Sequence, residues 1–89
     1  MARLEFTPQL QRFVDTPVVE GGFARLADGL EAAFALNPRL RGYILDDQGR
    51  LRPNVAIFID GHRARDAQAF TDPLQPGSRV HVLQALSGG

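Results

Sequence analysis

The chain has 89 residues, a length typical of one domain. Ten arginines balance ten acidic residues, and a formal net charge of zero argues against nucleic-acid binding, which usually shows a basic excess. The composition includes no cysteine, which excludes disulfides and thiol nucleophiles. No run approaches the roughly 20 apolar residues of a membrane span, so we expect a cytoplasmic protein without membrane partners.

The first 22 residues predict two short strands. In ARLEF, Leu4 and Phe6 alternate with Arg3 and Glu5, the pattern of a half-buried strand. The segment TPVVEGG predicts a second strand that begins at a proline. Between the two strands, PQLQRFV predicts a short irregular or single-turn segment with three apolar residues available to pack on the core: Leu10, Phe13 and Val14.

The clearest helix lies in GGFARLADGLEAAFAL. Its apolar residues recur at spacings of three and four, which predicts one buried stripe formed by Phe23, Leu26, Ala27, Leu30, Ala33 and Phe34. The helix is expected to end at NPRL, because the residue before Pro38 is disfavoured in helical conformation.

The segment GYILDDQGRLRPNVAIFIDG predicts a strand, a turn and a second strand. In NVAIFID, three aliphatic residues (Val55, Ile57, Ile59) face one side, while Ala56 and Phe58 face the other. Apolar residues on both faces indicate a central strand, or a strand whose second face meets a partner.

The remaining residues predict a hairpin and a final strand. Asp60-Gly61 is a hairpin dipeptide, so HRARD is expected to run back as a short edge strand. TDPLQPG predicts a turn or a one-turn 3₁₀ segment, and SRVHVLQAL a strand with His81 and Leu83 on one face. The predicted fold class is therefore α+β, with one main helix across a four- to five-stranded sheet.

The sequence contains no self-contained active site. His62 is expected in an exposed turn and His81 within a strand, and no carboxylates are spaced around either to complete a zinc site. Adjacent Asp46 and Asp47 in a turn point apart, and no serine has a local base to activate it. We therefore predict a protein that is not an enzyme and that binds no metal or cofactor.

The chain end, QALSGG, is the one segment that suggests chemistry. A terminal carboxylate can be activated as a mixed anhydride with AMP if an enzyme brings it to ATP through a narrow passage. Two glycines remove the side chains that would obstruct this passage. Taken alone, the same residues are better explained as an expression remnant or an ordinary frayed terminus.

Residues 72–89, DPLQPGSRVHVLQALSGG, resemble the closing run pLxxGdxVxxxPxxxGG of the ubiquitin-like β-grasp sulfur carriers of the MoaD, ThiS and CysO type. The matching positions are Leu74, Gly77, Val80, Gly88 and Gly89. GRLRPNVAIFIDG resembles the RxxVnVfvNg strand and turn of that family, and ALNPRL its segment after the helix. Two positions differ, since a proline commonly stands at Gln84 and an asparagine at Asp60.

This resemblance implies a mixed β-grasp sheet over residues 1–85 and a flexible tail over residues 86–89. In the family, a ubiquitin-activating-type enzyme uses ATP and Mg²⁺ to adenylate the terminal carboxylate, here that of Gly89. A sulfur donor then converts it to a thiocarboxylate, which serves a sulfur-accepting biosynthetic enzyme. Gly88 would give access to Gly89, while Ser87 and Leu86 would set the exit of the tail, and the free chain is expected to be a monomer.

The same resemblance implies partner docking on the sheet face away from the helix. Leu83 occupies a contact position of the family, and Phe58 can extend that patch, although ordinary packing explains Phe58 equally well. Three arginines, Arg41, Arg52 and Arg79, are weaker candidates for steering acidic partners.

Two other functions fit the sequence. The chain can be a protein modifier conjugated through Gly89, or a β-grasp interaction module with an inert tail. The sulfur acceptor also stays open, because molybdopterin, thiazole and cysteine synthesis all use such carriers.

Overall fold

The computed structural model describes residues 1–84 of the chain, and this part contains five strands, two α-helices and one 3₁₀ helix. The elements follow in this order: β1 (Ala2–Phe6), a 3₁₀ helix (Pro8–Arg12), β2 (Val19–Gly21), α1 (Leu26–Leu36), α2 (Arg39–Ile44), β3 (Val55–Ile59), β4 (His62–Arg63) and β5 (Arg79–Gln84). No helix within residues 1–84 is long and apolar enough to cross a membrane.

The strands form one mixed sheet in the order β2-β1-β5-β3-β4. The last strand, β5, is central: it runs parallel to β1 and antiparallel to β3, so Val82 lies opposite both Phe6 and Ile57. β2 and β4 are the two edges, each antiparallel to its neighbour. The predicted α+β class with four to five strands is confirmed.

The helix α1 packs its apolar stripe on one face of the sheet, as the spacing predicts. Leu26, Leu30, Ala33 and Phe34 are buried, and Phe23 and Ala27 are half-buried against them. The first backbone donors of α1 bind carbonyls of the loop before β5. Leu26 N–H donates to Asp72 O and Ala27 N–H to Phe70 O, each at 2.9 Å. These bonds satisfy N–H groups that lack a partner inside a helix and fix the start of α1.

The core lies between α1 and the side chains of alternate strand residues. Fully buried strand residues include Leu4, Ile57, Val80 and Val82, with Leu10, Leu40 and Ile44 closing the ends. Burial of each such side chain contributes about 1.5–3 kcal/mol relative to exposure. The strand residues between these buried ones lie on the opposite face of the sheet, which α1 does not cover.

The hairpin between β3 and β4 is the tight turn that the sequence predicts. Ile59 lies opposite His62, so only Asp60 and Gly61 connect the strands. Both have positive φ, 51° and 85°, which is the backbone of a type I′ turn. HRARD accordingly contributes the short edge strand β4.

Two predictions about the chain path are wrong. The strand expected in GYIL is the end of α2, and only Leu45 forms an isolated bridge, to Leu51. Pro38 ends α1 as expected but adopts helical angles itself, and Leu40 and Ile44 then bury one face of a new helix. The second wrong prediction is that Phe13 packs on the core. Phe13 is 57% exposed, because the turn after the 3₁₀ helix points only Leu10 and Val14 at the core.

Candidate functional site

The central strand β5 leads directly into the chain end. Its last described residue, Gln84, lies opposite Val55 of β3, and its N–H donates to the Thr7 hydroxyl at 3.3 Å. Thr7 N–H in turn donates to Val82 O at 3.0 Å. β3 on one side, and Thr7 directly after β1 on the other, therefore fix the position of Gln84, from which residues 85–89 continue. Leu86, Ser87, Gly88 and Gly89 lie outside the described residues, so their roles stay predictions.

The Thr7 contact gives a physical reason for a residue other than proline at position 84. A proline there would have no N–H and would leave the Thr7 hydroxyl without this donor. Thr7 is a residue that sequence reasoning missed, since a threonine before a proline carries no signal of a contact with a residue so distant in the chain.

The sheet face away from α1, here called the outer face, carries both predicted docking residues. Leu83 lies opposite Ala56, and Phe58 opposite His81 on the same pair of strands. Phe58 and Leu83 are therefore diagonal neighbours, about 7–8 Å apart in such a pair. Leu83 is 39% exposed and Phe58 is half-buried, so the outer face has a small apolar centre close to the start of the tail.

Charged side chains border this apolar centre. His81 Nε2 lies 4.0 Å from Glu5 Oε2, on the neighbouring strand. Arg3 contacts Glu5 and also Glu20, whose carboxylate is 3.4 Å from Arg3 Nη1. On the other side, Arg63 stands opposite Phe58. The alternation of residues in β1 and β5 predicts which of these side chains share a face of their strand. Only the strand order, with β1 beside β5, brings them together into one border.

The three arginines predicted to steer partners are not brought together. Arg41 lies over the Phe34 ring at 5.8 Å and contacts Glu31 at 3.5 Å, on the helical side. Arg52 donates from Nε to Gly42 O at 2.8 Å, which links the start of β3 to α2. Only Arg79 lies on the outer face, where it stands opposite Arg3.

Three aspartates hold loops through backbone hydrogen bonds. The Asp66 carboxylate accepts from the N–H groups of Gln68, Ala69 and Thr71 and from the Thr71 hydroxyl. These bonds, led by that from Ala69, hold the pKa of Asp66 well below its ordinary value. The pKa of Asp60 is lowered by the Arg79 N–H and the Ser78 hydroxyl, and that of Asp46 by the N–H groups of Arg50 and Gln48. These carboxylates stabilise turns.

The histidines lie where the sequence places them. His62 is exposed in β4, directly after the hairpin turn, and His81 lies on the outer face. Within residues 1–84, no group of three or more His, Asp or Glu side chains is arranged to hold a metal ion. In this part of the chain, the predictions of partner binding concern the base of the tail and the outer face.

Solved structures share this arrangement over nearly the whole chain. SAMP1 from Haloferax volcanii superposes with a TM-score of 0.77 and 20% identity, covering 99% of this chain and 98% of that one. A chain of the Amycolatopsis orientalis BexX/CysO complex gives 0.78 and 12% identity, covering all of both chains. Urm1 from Trypanosoma brucei gives 0.68 and 18% identity, covering 99% and 94%.

No family model and no curated protein matches the sequence. The likeness to these structures, at identities near one in five or lower, is thus carried by the fold. The superpositions extend over nearly the whole chain and thus include the mixed sheet and the helix α1 across one of its faces. The resemblance predicted from the sequence is therefore confirmed at the level of fold, and the chain has the ubiquitin-like β-grasp fold.

Proposed function

We propose that this chain is a sulfur carrier whose Gly89 carboxylate is adenylated and then converted to a thiocarboxylate. The observation that carries the proposal is the continuity of the anchored central strand β5 with LSGG. Gln84 is held by β3 and by Thr7, and five residues reach at most about 18 Å beyond it. The Gly89 carboxylate would therefore stay within this distance of Gln84, and Gly88 and Gly89 carry no side chain that could obstruct its access.

The chemistry consists of two displacements at the same carboxyl group. A carboxylate oxygen of Gly89 attacks the α-phosphorus of ATP, which forms an acyl adenylate and releases pyrophosphate. Hydrosulfide then attacks the acyl carbon and expels AMP, leaving the thiocarboxylate. The partner enzyme supplies the ATP and Mg²⁺ site, and this chain is its substrate.

Several features support this assignment over a catalytic role. Within residues 1–84 the carboxylates with lowered pKa serve turns, and no group of three or more His, Asp or Glu side chains is arranged to hold a metal ion. The outer face offers Leu83 and Phe58 beside the strand that leads to the tail. A partner bound there would lie on the side of the sheet from which it could receive Gly89.

The test is intact mass after incubation with a ubiquitin-activating-type adenylating enzyme, ATP, Mg²⁺ and sulfide. Replacing one carboxylate oxygen by sulfur adds about 16 Da, and we expect this gain only in the full chain. Deletion of Gly88 and Gly89 should abolish it. No gain with any such enzyme, or the same gain in the deletion variant, would contradict the proposal.

A modifier function is the second candidate. Three of the similar structures are by name small archaeal modifier proteins, two from Haloferax volcanii and one from Methanosarcina acetivorans. In this case a lysine amine attacks the same acyl adenylate and expels AMP, which forms an isopeptide bond. An N-terminally tagged chain should then give higher-mass conjugates in cells, and deletion of the two glycines should remove them. If deletion of the glycines leaves the biological function intact, the chain is instead an interaction module with an inert tail.

A further inference from the structure

The basic side chains of this protein are all arginines, and no lysine occurs among its 89 residues. The two side chains differ in reactivity. A small fraction of lysine amines is unprotonated near neutral pH and attacks acyl groups, whereas the arginine guanidinium stays protonated. The choice of arginine therefore matters wherever a side chain can meet an activated acyl group, and under the proposed function that group is at Gly89.

Two arginines lie close to the base of the tail. Arg12 ends the 3₁₀ helix that follows Thr7, and at a rise of about 2 Å per residue it lies about 10 Å from Thr7, which contacts Gln84. Arg52 O accepts the Val55 N–H at 3.0 Å, and Val55 lies opposite Gln84. Both arginines are thus closer to Gln84 than the length of about 18 Å that the five following residues can span.

The contacts of these two arginines do not require a guanidinium group. Arg12 forms no ion pair within residues 1–84. Arg52 donates from Nε to Gly42 O at 2.8 Å, a bond that a lysine amine can also make. Arg41 differs, because its planar group lies 5.8 Å over the Phe34 ring, a contact that favours arginine. Packing and ion pairing therefore do not explain arginine at the base of the tail.

The opposite end of the sheet lies beyond the tail. β1 runs parallel to β5, and Arg3 lies opposite Arg79, which is five strand residues or about 17 Å from Gln84. Two more residues place the Met1 nitrogen about 23 Å from Gln84. The tail is too short to bring Gly89 to this nitrogen, so side chains near Gln84 are the ones that decide whether the chain can react with itself.

We propose that arginine at Arg12 and Arg52 keeps the activated Gly89 from acylating its own chain, so that the chain acts only as an acyl donor. The reaction avoided is attack of a neutral amine on the acyl carbon, which expels AMP or a thiol, releases a proton to solvent and leaves a stable amide. An amine on the same chain would meet the acyl carbon at an effective concentration in the millimolar range.

This inference rests on the proposed activation of Gly89 and specifies the acceptor. The attacking amine or sulfur belongs to a partner, because neither this chain nor a second copy offers a side-chain amine. In a modifier function, each acceptor amine would thus receive a single copy, without lysine-linked chains of copies.

The test uses the full chain with a thioester at Gly89, so it needs no adenylating enzyme. At mildly alkaline pH we expect the wild-type thioester in dilute solution only to hydrolyse. In Arg12→Lys and in Arg52→Lys we expect an internal amide, with an intact mass about 18 Da below that of the hydrolysed chain. Peptide mapping should locate the bond between Gly89 and the introduced amine.

Arg25→Lys is the matched control. Arg25 forms a bridge with Pro73 in the loop before β5, so it lies toward the end of the sheet opposite Gln84. The internal amide should form at least about tenfold faster in Arg12→Lys than in Arg25→Lys, because effective concentration falls steeply as a linker approaches full extension. An unaltered amide spectrum confirms that each variant folds.

A second measurement separates this inference from the proposed function. With an adenylating enzyme, ATP and Mg²⁺ but no sulfide, release of pyrophosphate reports activation of Gly89. No release would contradict the proposed function alone, since the thioester experiment does not involve the enzyme. With release, we expect self-acylated chain in Arg12→Lys and none in the wild-type chain.

Two results would overturn the inference. The first is an internal amide, or copies joined to each other, that the wild-type thioester forms as fast as it hydrolyses. The second is amide formation in Arg12→Lys and Arg52→Lys that is no faster than in Arg25→Lys, which would show that arginine at the base of the tail protects nothing.

Discussion

At the scale of single residues, the turn between β3 and β4 shows how two residues, Asp60 and Gly61, organise three strands. Gly61 has a φ of 85°, a conformation that a β-carbon disfavours, and no other residue lies near the position of its absent side chain. Asp60 has a φ of 51°, and its carboxylate accepts from Arg79 N–H at 2.8 Å and from the Ser78 hydroxyl at 2.9 Å. The turn therefore also holds the beginning of β5.

We expect Gly61→Ala to lower the free energy of unfolding by about 1 kcal/mol, because only the backbone opposes the new methyl group. Gly42→Ala is the matched control. It lies inside α2 with open space around it, so it should raise stability by up to about 1 kcal/mol. Urea denaturation of both variants measures the difference, and changes of the same sign would contradict this explanation.

The aspartate-held loops predict acid sensitivity. Backbone N–H groups hold the pKa of Asp66 below its ordinary value near 3.9, so the ionised form stabilises the folded state. This contribution is complete above the ordinary pKa and is lost as pH falls through the folded pKa. We expect the urea midpoint to decrease as pH falls below about 4, and to decrease less in Asp66→Asn. An equal decrease in both proteins would assign the sensitivity to other groups.

At the scale of elements, the strands with strict alternation were predictable and α2 was not. In β3 and β5 the period of two survives because alternate residues, Val55, Ile57, Val80 and Val82, are buried in the core. In α2, the aromatic Tyr43 and the β-branched Ile44 favour a strand locally, and Gly42 weakens a helix. The buried Leu40 and Ile44 outweigh these preferences, a tertiary effect that periodicity over six residues cannot reveal.

The link from β1 to the end of β5 gives a further prediction at this scale. Thr7→Val keeps the shape of the side chain but removes the acceptor of the Gln84 N–H, so stability should fall by up to about 1 kcal/mol. Amide exchange of Gln84 should also become faster.

Thr16→Val is the control for this substitution. The Thr16 hydroxyl is buried without a partner within residues 1–84, so its removal should be neutral or stabilising. If Thr7→Val is as harmless as Thr16→Val, the Thr7 contact does not anchor the tail.

At the scale of the whole molecule, the sheet separates a core face from an outer face that is free for partners. Alternation alone placed Leu83 and Phe58 on that outer face, and the structure adds that they are diagonal neighbours. Thr7 and the border formed by Arg3, Glu5 and His81 could not be predicted, because they depend on β5 lying beside β1. The exposed position of Phe13 was not predicted either, because it depends on the turn after the 3₁₀ helix.

This arrangement predicts that the two exposed leucines differ in effect. Leu83→Glu on the outer face should raise the KM of an adenylating enzyme for this chain by about tenfold or more, since a charge replaces an apolar contact. Leu36→Glu, at the exposed last residue of α1, should leave that KM unchanged. Both side chains are exposed, so both variants should keep the wild-type urea midpoint. Equal KM values for the two variants would contradict docking on the outer face.

The central claim is that another protein activates the carboxylate of Gly89 as an adenylate. Its most direct test labels one oxygen of that carboxylate with a heavy isotope, introduced by hydrolysis of a C-terminal thioester in heavy-oxygen water. After one turnover with an adenylating enzyme, ATP, Mg²⁺ and sulfide, we predict that about half of the released AMP carries the label, because either carboxylate oxygen can attack phosphorus. AMP without label, alongside a chain that keeps all of its heavy oxygen, would contradict the claim.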